Sequence, residues 1–369
     1  VTALRRRFGD LAATVDGAPE AELTLAPQKP DQVAAVLTAA SEDGVTVVPW
    51  GGGTHQGFGG RVSPGLLLST RRMDQIVDWQ RRDLTIVVEA GMRVADLEQS
   101  LAGSGQTALL PEEPGEATVG GVVAAGISGW RRLRYGPTRS RVLEVVLVTG
   151  DGRVVRGGAQ IVKNVAGTGV ARLAIGSFGG LGVLVRVCLR LWPVPPAKAT
   201  VHVGDAQEAL RLLHRPLSVI EADGEAMVYL EGTEDDVAEQ AASLEGEPVA
   251  GHQWPAPLSD PVQVSIRVPP ALTGEAVSLL DGAAAYRAAH GVGEVIAGYG
   301  GPDVAELSRL RRWAEGVGGA LVVVTAPDDL YEQFDPWGRV PDTIDIQRRL
   351  KAAFDPAGVL NAGRLSGGL

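Results

Sequence analysis

Between Gly51 and Gly60 the chain places six glycines in ten positions, with Thr54, His55 and Gln56 among them. Glycine lets successive backbone N–H groups turn to one side and lets the main chain approach a ligand that a Cβ would hold off. Such a loop suits a phosphate, with the Thr54 hydroxyl as a further donor; a flexible surface turn is the other reading. A second small-residue stretch lies within Pro111–Gly129. There Thr118 can cap a helix carrying Gly120, Gly121 and Ala124. A helix start offers unpaired N–H groups and a positive dipole end to an anion, although Gly and Ala also serve tight helix packing. A third region runs Lys163-Asn164-Val165-Ala166-Gly167, then Gly176-Ser177-Phe178-Gly179-Gly180-Leu181-Gly182-Val183. Lys163 could neutralise a phosphate. Three glycine-rich turns in one region, with no Walker lysine motif, point to a large diphosphate cofactor.

Other reactive side chains are sparse. Cys188 is the only cysteine, so no internal disulfide and no iron–sulfur cluster held by this chain alone can form. In the apolar run Val183–Leu191 it reads as a buried packing residue. His55, His202, His214, His252 and His290 show no metal-ligand spacing, and no metal is expected. Arg309, Arg311 and Arg312, beside Trp313, could bind a substrate carboxylate bidentately, but a solvated helix face explains them better. No residue identifies itself as the catalytic base.

The elements that would carry these loops follow from periodicity. Pro30–Gly44 reads as a helix with Val33, Val36, Leu37 and Ala40 on one face and Asp31 as cap. Strands are expected at 45–48, 66–69, 75–78, 84–89 and 183–191, with a short helix at 94–101. A hairpin is expected around Asp151-Gly152. The glycine loop at 51–60 follows a strand but opens no helix, unlike a dinucleotide-binding fingerprint. Composition shifts at Trp192-Pro193-Val194-Pro195-Pro196, a natural boundary. Beyond it, Ala276, Leu279, Leu280 and Ala283 share one helical face, and Leu307, Leu310, Ala314 and Val317 another. Strands are expected at 295–297 and 321–325. A connector spans 328–340, and a last helix, 343–354, has Ile346, Leu350, Ala353 and Phe354 on one side. No internal repeat is visible.

The bulk properties fit this picture. A chain of 369 residues with 45% hydrophobic and 21% charged residues, 49 glycines and 23 prolines is globular and rich in turns. A net charge of −10 with no basic tract argues against a nucleic-acid partner. No run of 18 uncharged apolar residues predicts a transmembrane helix. The Arg-rich start, residues 1–10, does not read as a secretory signal.

In order, these motifs resemble the vanillyl-alcohol-oxidase-type, or PCMH-type, FAD-binding family, and within it the FAD-binding E subunits of bacterial glycolate oxidases. The resemblance rests on Pro49-Trp50-Gly51-Gly52-Gly53-Thr54, Ala117-Thr118-Val119-Gly120-Gly121-Val122-Val123-Ala124, Arg134-Tyr135-Gly136 and Val162-Lys163-Asn164-Val165-Ala166-Gly167. Gly176-Ser177-Phe178-Gly179, Leu181-Gly182-Val183 and the tail Phe354–Arg364 complete it. It implies an α+β fold: a two-lobed FAD-binding domain of two α+β subdomains over 1–196, an α+β cap or substrate domain over 197–340, and a C-terminal segment, 341–369, packing back on the FAD domain. It implies FAD held by Pro49, Gly51, Gly52, Gly53, Thr54, His55, Gln56 and Gly57. Pro111, Thr118, Gly120, Gly121 and Ala124 would run along the pyrophosphate and flavin. Lys163, Asn164 and Gly167 join them, Gly176, Gly179, Gly182 and Val183 line the adenosine side, and Asn361 returns to the flavin ring.

The function implied is oxidation of a small 2-hydroxy acid such as glycolate. Electrons would pass to a second flavin subunit and an iron–sulfur subunit or another acceptor, in a cytoplasmic protein that can meet a membrane through a partner. The sequence also departs from the family. Thr168-Gly169-Val170 stands where Tyr-Asp-Leu is usual, Gly180 replaces a threonine, Ala125-Gly126 replaces Thr-Asn, and Leu184-Val185-Arg186 replaces Ile-Thr-Glu. These changes remove polar groups and raise the alternative of a non-catalytic assembly subunit with weak or lost FAD binding; an oxygen-reactive sugar-alcohol oxidase is a third reading. His55 occupies the position at which some relatives link flavin covalently; packing or hydrogen bonding is the simpler expectation. His290-Gly291-Val292-Gly293-Glu294 echoes one fragment of the family's metal-binding cluster and lacks a partner histidine.

Overall fold

The computed structural model describes residues 1–112, 114–160, 168–301 and 303–369. Strands Leu23–Leu25, Leu66–Ser69 and Val47–Trp50 form a parallel sheet in that order. Both faces are covered, as near-continuous apolar strands require. Leu25, Leu66 and Leu68 meet helix Pro30–Glu42, while Val48, Trp50 and Leu67 meet Val15 and Val62. Pro30 takes the first helical position, where its missing N–H costs nothing. Lys29 therefore becomes the cap, and the expected cap Asp31 lies in the first turn. At the open edge the C-terminal chain adds a parallel partner. The Val47 amide donates to Val359 O at 2.8 Å, and the Asn361 amide donates to Val47 O at 3.0 Å.

A second lobe is built on a five-stranded antiparallel sheet, ordered Ile76–Gln80, Thr85–Glu89, Val183–Arg190, Val142–Val148, Val154–Gly158. One face packs on helices Val94–Ala102 and Val119–Ala125 through Val88, Leu97, Val122, Val145 and Val187. The other face sends Val146, Val148, Val183 and Val185 into the first lobe's core. Period-two alternation in these strands thus serves both lobes at once.

Cys188 lies in this sheet, 1% exposed. Burial, reinforced by Glu144 and Asp78, pushes its thiol up to about 12. In the unfolded chain the thiol ionises near its ordinary value, so between those two pH values the unfolded state holds fewer protons and stability falls as pH rises. From pH 9 to 11 the stability advantage of wild type over Cys188→Ala should narrow by up to about 1.4 kcal/mol per pH unit. Urea titrations across that range measure it; a constant difference would show that the thiol ionises equally well in the folded chain.

Residues Trp192–Pro193 pair with Gln106–Thr107, and the chain then enters an eight-stranded antiparallel sheet at Ala197. Its strand order is 248–250, 197–203, 225–232, 218–222, 285–290, 294–299, 262–267, 320–325. This is a duplication. Each half runs strand, helix, strand, strand, helix, strand, with its first strand between its fourth and third, the split β-α-β arrangement. The halves join where Ser218–Ala222 pairs with Ala285–His290. His290 is buried at this seam, with Nε2 2.9 Å from Glu221 Oε2 and Nδ1 3.2 Å from Gln207 Nε2.

Three expectations change. The helix predicted through Ala283 ends at Ser278, because the chain must reverse at Asp281-Gly282 (Gly282 φ +71°) to enter the strand at Ala285. Leu279, Leu280 and Ala283 still pack on the same core from the turn. The connector after Asp328 contains a helix, Asp328–Gln333. In the last helix, Ile344–Phe354, the predicted apolar face is only partly used: Ile346 is 51% exposed and Ala353 is exposed. The buried residue is Lys351, whose ammonium donates to Gly180 O (2.8 Å) and Leu360 O (2.5 Å) and pairs with Asp355 (2.7 Å). A polar anchor, not an apolar stripe, orients this helix. Among the described residues no helix is long and apolar enough to cross a membrane.

Candidate cofactor and substrate cleft

Strand Val47–Trp50 delivers the glycine loop to the junction of the two lobes. The backbone N–H groups of Gly51, Gly52, Gly53 and Thr54 donate to no acceptor among the described residues. Four consecutive unsatisfied donors on a Gly-rich turn make an anion-binding concavity. Gly53 has φ +79°, and a Cβ there would lie 2.5 Å from the Trp50 indole, so no other residue fits without strain. Gly51 and Gly52 are glycine for another reason. A Cβ on Gly52 would overlap the Glu116 carbonyl oxygen, and one on Gly51 the Thr118 hydroxyl. The first glycine loop lies directly on the second, and Arg71 bridges them, donating to Gly51 O at 3.1 Å and pairing with Glu116.

The second segment does not act as expected. Thr118 does cap helix Val119–Ala125, accepting from the Gly121 amide at 3.2 Å. However, the Val119 amide donates to Met92 O and the Gly120 amide to Ala90 O, each at 2.8 Å. The first-turn N–H groups are consumed by the fold, so this helix start offers no free donors to an anion. Its contribution is closeness: a Cβ on Gly120 would lie 2.7 Å from Ala90 Cβ, and Gly120, Gly121 and Ala124 remain on the groove wall.

The same groove is lined by Pro49, Gly51, Gly52, Gly53, Thr54, His55, Gln56, Gly179, Gly182, Val183 and Asn361. Gly57 and Gly176 lie on the cleft that continues from it. Pro111 and Thr118 are buried behind the wall, where a Cβ on Gly129 would press on Pro111 at 2.7 Å. Lys163, Asn164 and Gly167 lie outside the described residues. His55 Nδ1 is 3.1 Å from Thr54 Oγ1, and its ring centroid is 6.2 Å from that of Phe58.

Two C-terminal residues close the groove. Asn361 Nδ2 donates to Phe178 O at 2.5 Å, while its Oδ1 is buried with no hydrogen-bond partner. Arg364 donates to Gln56 O (2.5 Å), Phe58 O (2.9 Å) and Gln56 Oε1 (2.7 Å), fixing the end of the glycine loop. No carboxylate among the described residues pairs with it, and burial lowers its guanidinium to about 10. Sequence reasoning placed Arg364 in the tail motif without a role, because a buried cation and a surface one look alike in sequence. A groove with unpaired N–H donors, a buried cation and one orphaned acceptor fits a ligand that is anionic and also carries donors. FAD is such a ligand, with acceptors on its diphosphate and N–H donors on its flavin imide and adenine amine.

The cleft continues between the lobes and the eight-stranded sheet, with a volume of 1620 Å³. Alternate residues of the second half of that sheet face it: Gln263, Ser265 and Arg267, then Glu294 and Ile296, then Val322 and Val324. Arg267 Nε lies 3.2 Å from Glu294 Oε1, and Arg132 approaches the other oxygen at 3.8 Å. Arg287 is held by Asp223 at 2.6 Å. Glu112 pairs with Arg131, and burial raises its pKa above the ordinary carboxylate value. Arg309, Arg311 and Arg312 do not reach the cleft: Arg309 pairs with Asp281 at 2.7 Å, and Arg311 lies 3.7 Å over the Phe334 ring.

A two-lobed nest for a dinucleotide, closed by a capping sheet, defines the class, and the chain belongs to the PCMH-type FAD-binding oxidoreductases. Residues 21–158 match the family model described as an FAD binding domain. The chain is 32% identical over 334 residues to glycolate oxidase subunit GlcE of Escherichia coli (strain K12), covering 85% of this chain and 91% of that one. Glycolate oxidase subunit GlcD of Bacillus subtilis (strain 168) is 34% identical over 205 residues, 52% of this chain and 42% of its own length. A D-lactate dehydrogenase of Archaeoglobus fulgidus is 34% identical over 182 residues, 48% of this chain and 40% of that protein. The solved structure of an alkyldihydroxyacetonephosphate synthase superposes with a TM-score of 0.64 at 15% identity, over 92% of this chain and 76% of its own, a likeness of fold. The protein is thus an FAD-dependent oxidoreductase of the glycolate oxidase and D-lactate dehydrogenase family.

Proposed function

We propose that this chain oxidises a 2-hydroxy acid at the CH–OH carbon and passes the electrons to a partner, as the FAD-binding subunit of a glycolate-oxidase-like complex. One observation carries the substrate class. In a chain of net charge −10, the described residues lining the cleft include five arginines (Arg132, Arg139, Arg172, Arg267, Arg287) against two carboxylates (Glu112, Glu294). Like-signed charge in a low-dielectric cleft concentrates an anionic substrate there, and arginine matches a carboxylate bidentately. In this reading residues 49–57 hold the diphosphate, Gly120, Gly121, Ala124, Gly176, Gly179, Gly182 and Val183 keep the wall close to the cofactor, and Asn361 supplies an acceptor. Pro111, Thr118, Lys163, Asn164 and Gly167 complete the set. Bound FAD supplies the hydride acceptor. The chain's part is to orient the acid, exclude water and take the hydroxyl proton, for which His55, Glu112 and Glu294 are the candidates among the described cleft residues.

One cysteine holds no cluster, so the electrons leave for oxygen, a quinone or a partner. The names of the GlcE and GlcD relatives, both glycolate oxidase subunits, support a second flavin subunit, with an iron–sulfur subunit as the terminal acceptor. The chain would then be cytoplasmic and meet a membrane only through that complex. A non-catalytic assembly role is favoured by Thr168-Gly169 in place of Tyr-Asp and by the pairing of Glu112 and Glu294 with arginines.

A visible spectrum of the purified chain separates the two. Flavin bands at near-stoichiometric occupancy that bleach anaerobically with a 2-hydroxy acid are the expected result. A colourless chain that cannot be reconstituted with FAD would leave only the assembly role.

A further inference from the structure

We propose that the substrate is amphipathic: a 2-hydroxy acid whose chain ends in an apolar group of about phenyl size, rather than glycolate itself. This rests on the oxidoreductase reading above and narrows it. The duplicated sheet uses its two halves differently. In the first half the face toward the FAD lobes is sealed, with Leu217, Ile220, Met227 and Tyr229 packed under Trp130, Tyr135 and Trp254. In the second half the corresponding face stays open and forms the cleft floor. It is polar at Gln263, Ser265, Arg267 and Glu294 and apolar at Ile296, Val322 and Val324.

The link between the halves supplies the facing wall. Trp254, Pro255, Pro257 and Leu258 all line the cleft. Trp254 is stacked on Tyr229 at 4.1 Å and 17°, with the Arg131 guanidinium 5.6 Å from its centroid. That ring is fixed before any ligand arrives, and two prolines restrain the segment after it. A preorganised apolar wall in a cleft lined by five arginines is complementary to a ligand with a carboxylate at one end and hydrocarbon at the other. Glycolate has no apolar tail to cover this wall. The cleft, at 1620 Å³, is also larger than the roughly 300–1,000 Å³ of ordinary ligand pockets. Each methylene buried against the wall should improve binding about fourfold.

The test uses the FAD-loaded chain. Anaerobic flavin bleaching is compared for glycolate, 2-hydroxyhexanoate and 3-phenyllactate, both enantiomers of the last two, and binding of 3-phenylpropanoate, which has no hydroxyl to oxidise, is measured by calorimetry. The expected result is a rate constant per molar at least about tenfold higher for phenyllactate than for glycolate, with measurable phenylpropanoate binding. The double variant V322T/V324T, which exchanges methyl groups for hydroxyls on the cleft floor, should weaken phenylpropanoate about tenfold and lower the phenyllactate-to-glycolate ratio of bleaching rates with it; it avoids Trp254, whose loss would disturb the sealed half. Bleaching by glycolate as fast as by phenyllactate, or phenylpropanoate affinity unmoved in the variant, overturns this inference and leaves the oxidoreductase reading intact. No bleaching by any acid overturns both.

Discussion

Gly52→Val is expected to leave less than about a tenth of the purified chain loaded with FAD. Sequence reasoning alone places the valine in the space of the phosphate oxygens. The structure gives a different cause. The Cβ would point away from the groove, into the Glu116 carbonyl. Backbone cannot yield as a side-chain tip can, so the 51–57 loop must lift off the 116–121 segment. Overpacking of this kind costs about 1–3 kcal/mol, and 1.4 kcal/mol already weakens binding tenfold. The same movement loosens the Arg71 bridge between the loops, so thermal stability should fall with occupancy. Gly115→Ala is the control, since a Cβ there meets nothing within 4 Å; it should load normally. Full FAD occupancy in Gly52→Val, read from the flavin-to-protein absorbance ratio, would show that the two loops are not packed as described.

Lys351→Met should have the largest effect on stability. The side chain keeps its length and loses its charge, leaving Asp355, 1% exposed, without its cation. Breaking a buried pair from one side costs about 3–5 kcal/mol. Gly180 O and Leu360 O lose their donor as well, and Leu360 lies between the residues that pair with Val47. Asp355 also accepts the amides of Val359 (3.1 Å) and Leu360 (2.8 Å), so the variant should loosen the first lobe's edge and the Asn361 wall together. Urea unfolding followed by tryptophan fluorescence should show the first transition moving to lower denaturant, with flavin released in the same step. A midpoint equal to wild type would mean the pair contributes nothing.

Much of the site was legible because glycine reports backbone constraints directly. The loop at 51–57 and the turns at Gly176 and Gly179 were readable from residue type and order, whereas the return through Asn361 came only from the family resemblance. What stayed hidden depends on where a group's partner lies. Nothing in Thr118-Val119-Gly120 says that Met92 and Ala90 already take its amide protons. Lys351, Asp355 and Arg364 look like surface charges until the fold closes over them. The duplicated cap was missed because its halves share element order but no motif, and strands of three to eight residues leave too few apolar positions for the repeat to stand out. The same brevity explains the one- or two-residue offsets at most strand ends, while the face of the last helix was misassigned because the residue it buries is Lys351 rather than an apolar stripe.

Residues 359–361 complete a sheet whose other strands end at Ser69. On the ribosome those strands emerge first and then wait while roughly 290 further residues are made, about 15–60 s at ordinary elongation rates. During that interval the edge at Val47 is unpaired and the Asn361 wall does not exist. The cofactor lobe is therefore encoded early and finished late. Cofactor loading belongs after synthesis of the capping sheet, and a nascent chain exposes a strand edge that a chaperone, or a neighbouring chain, can find first.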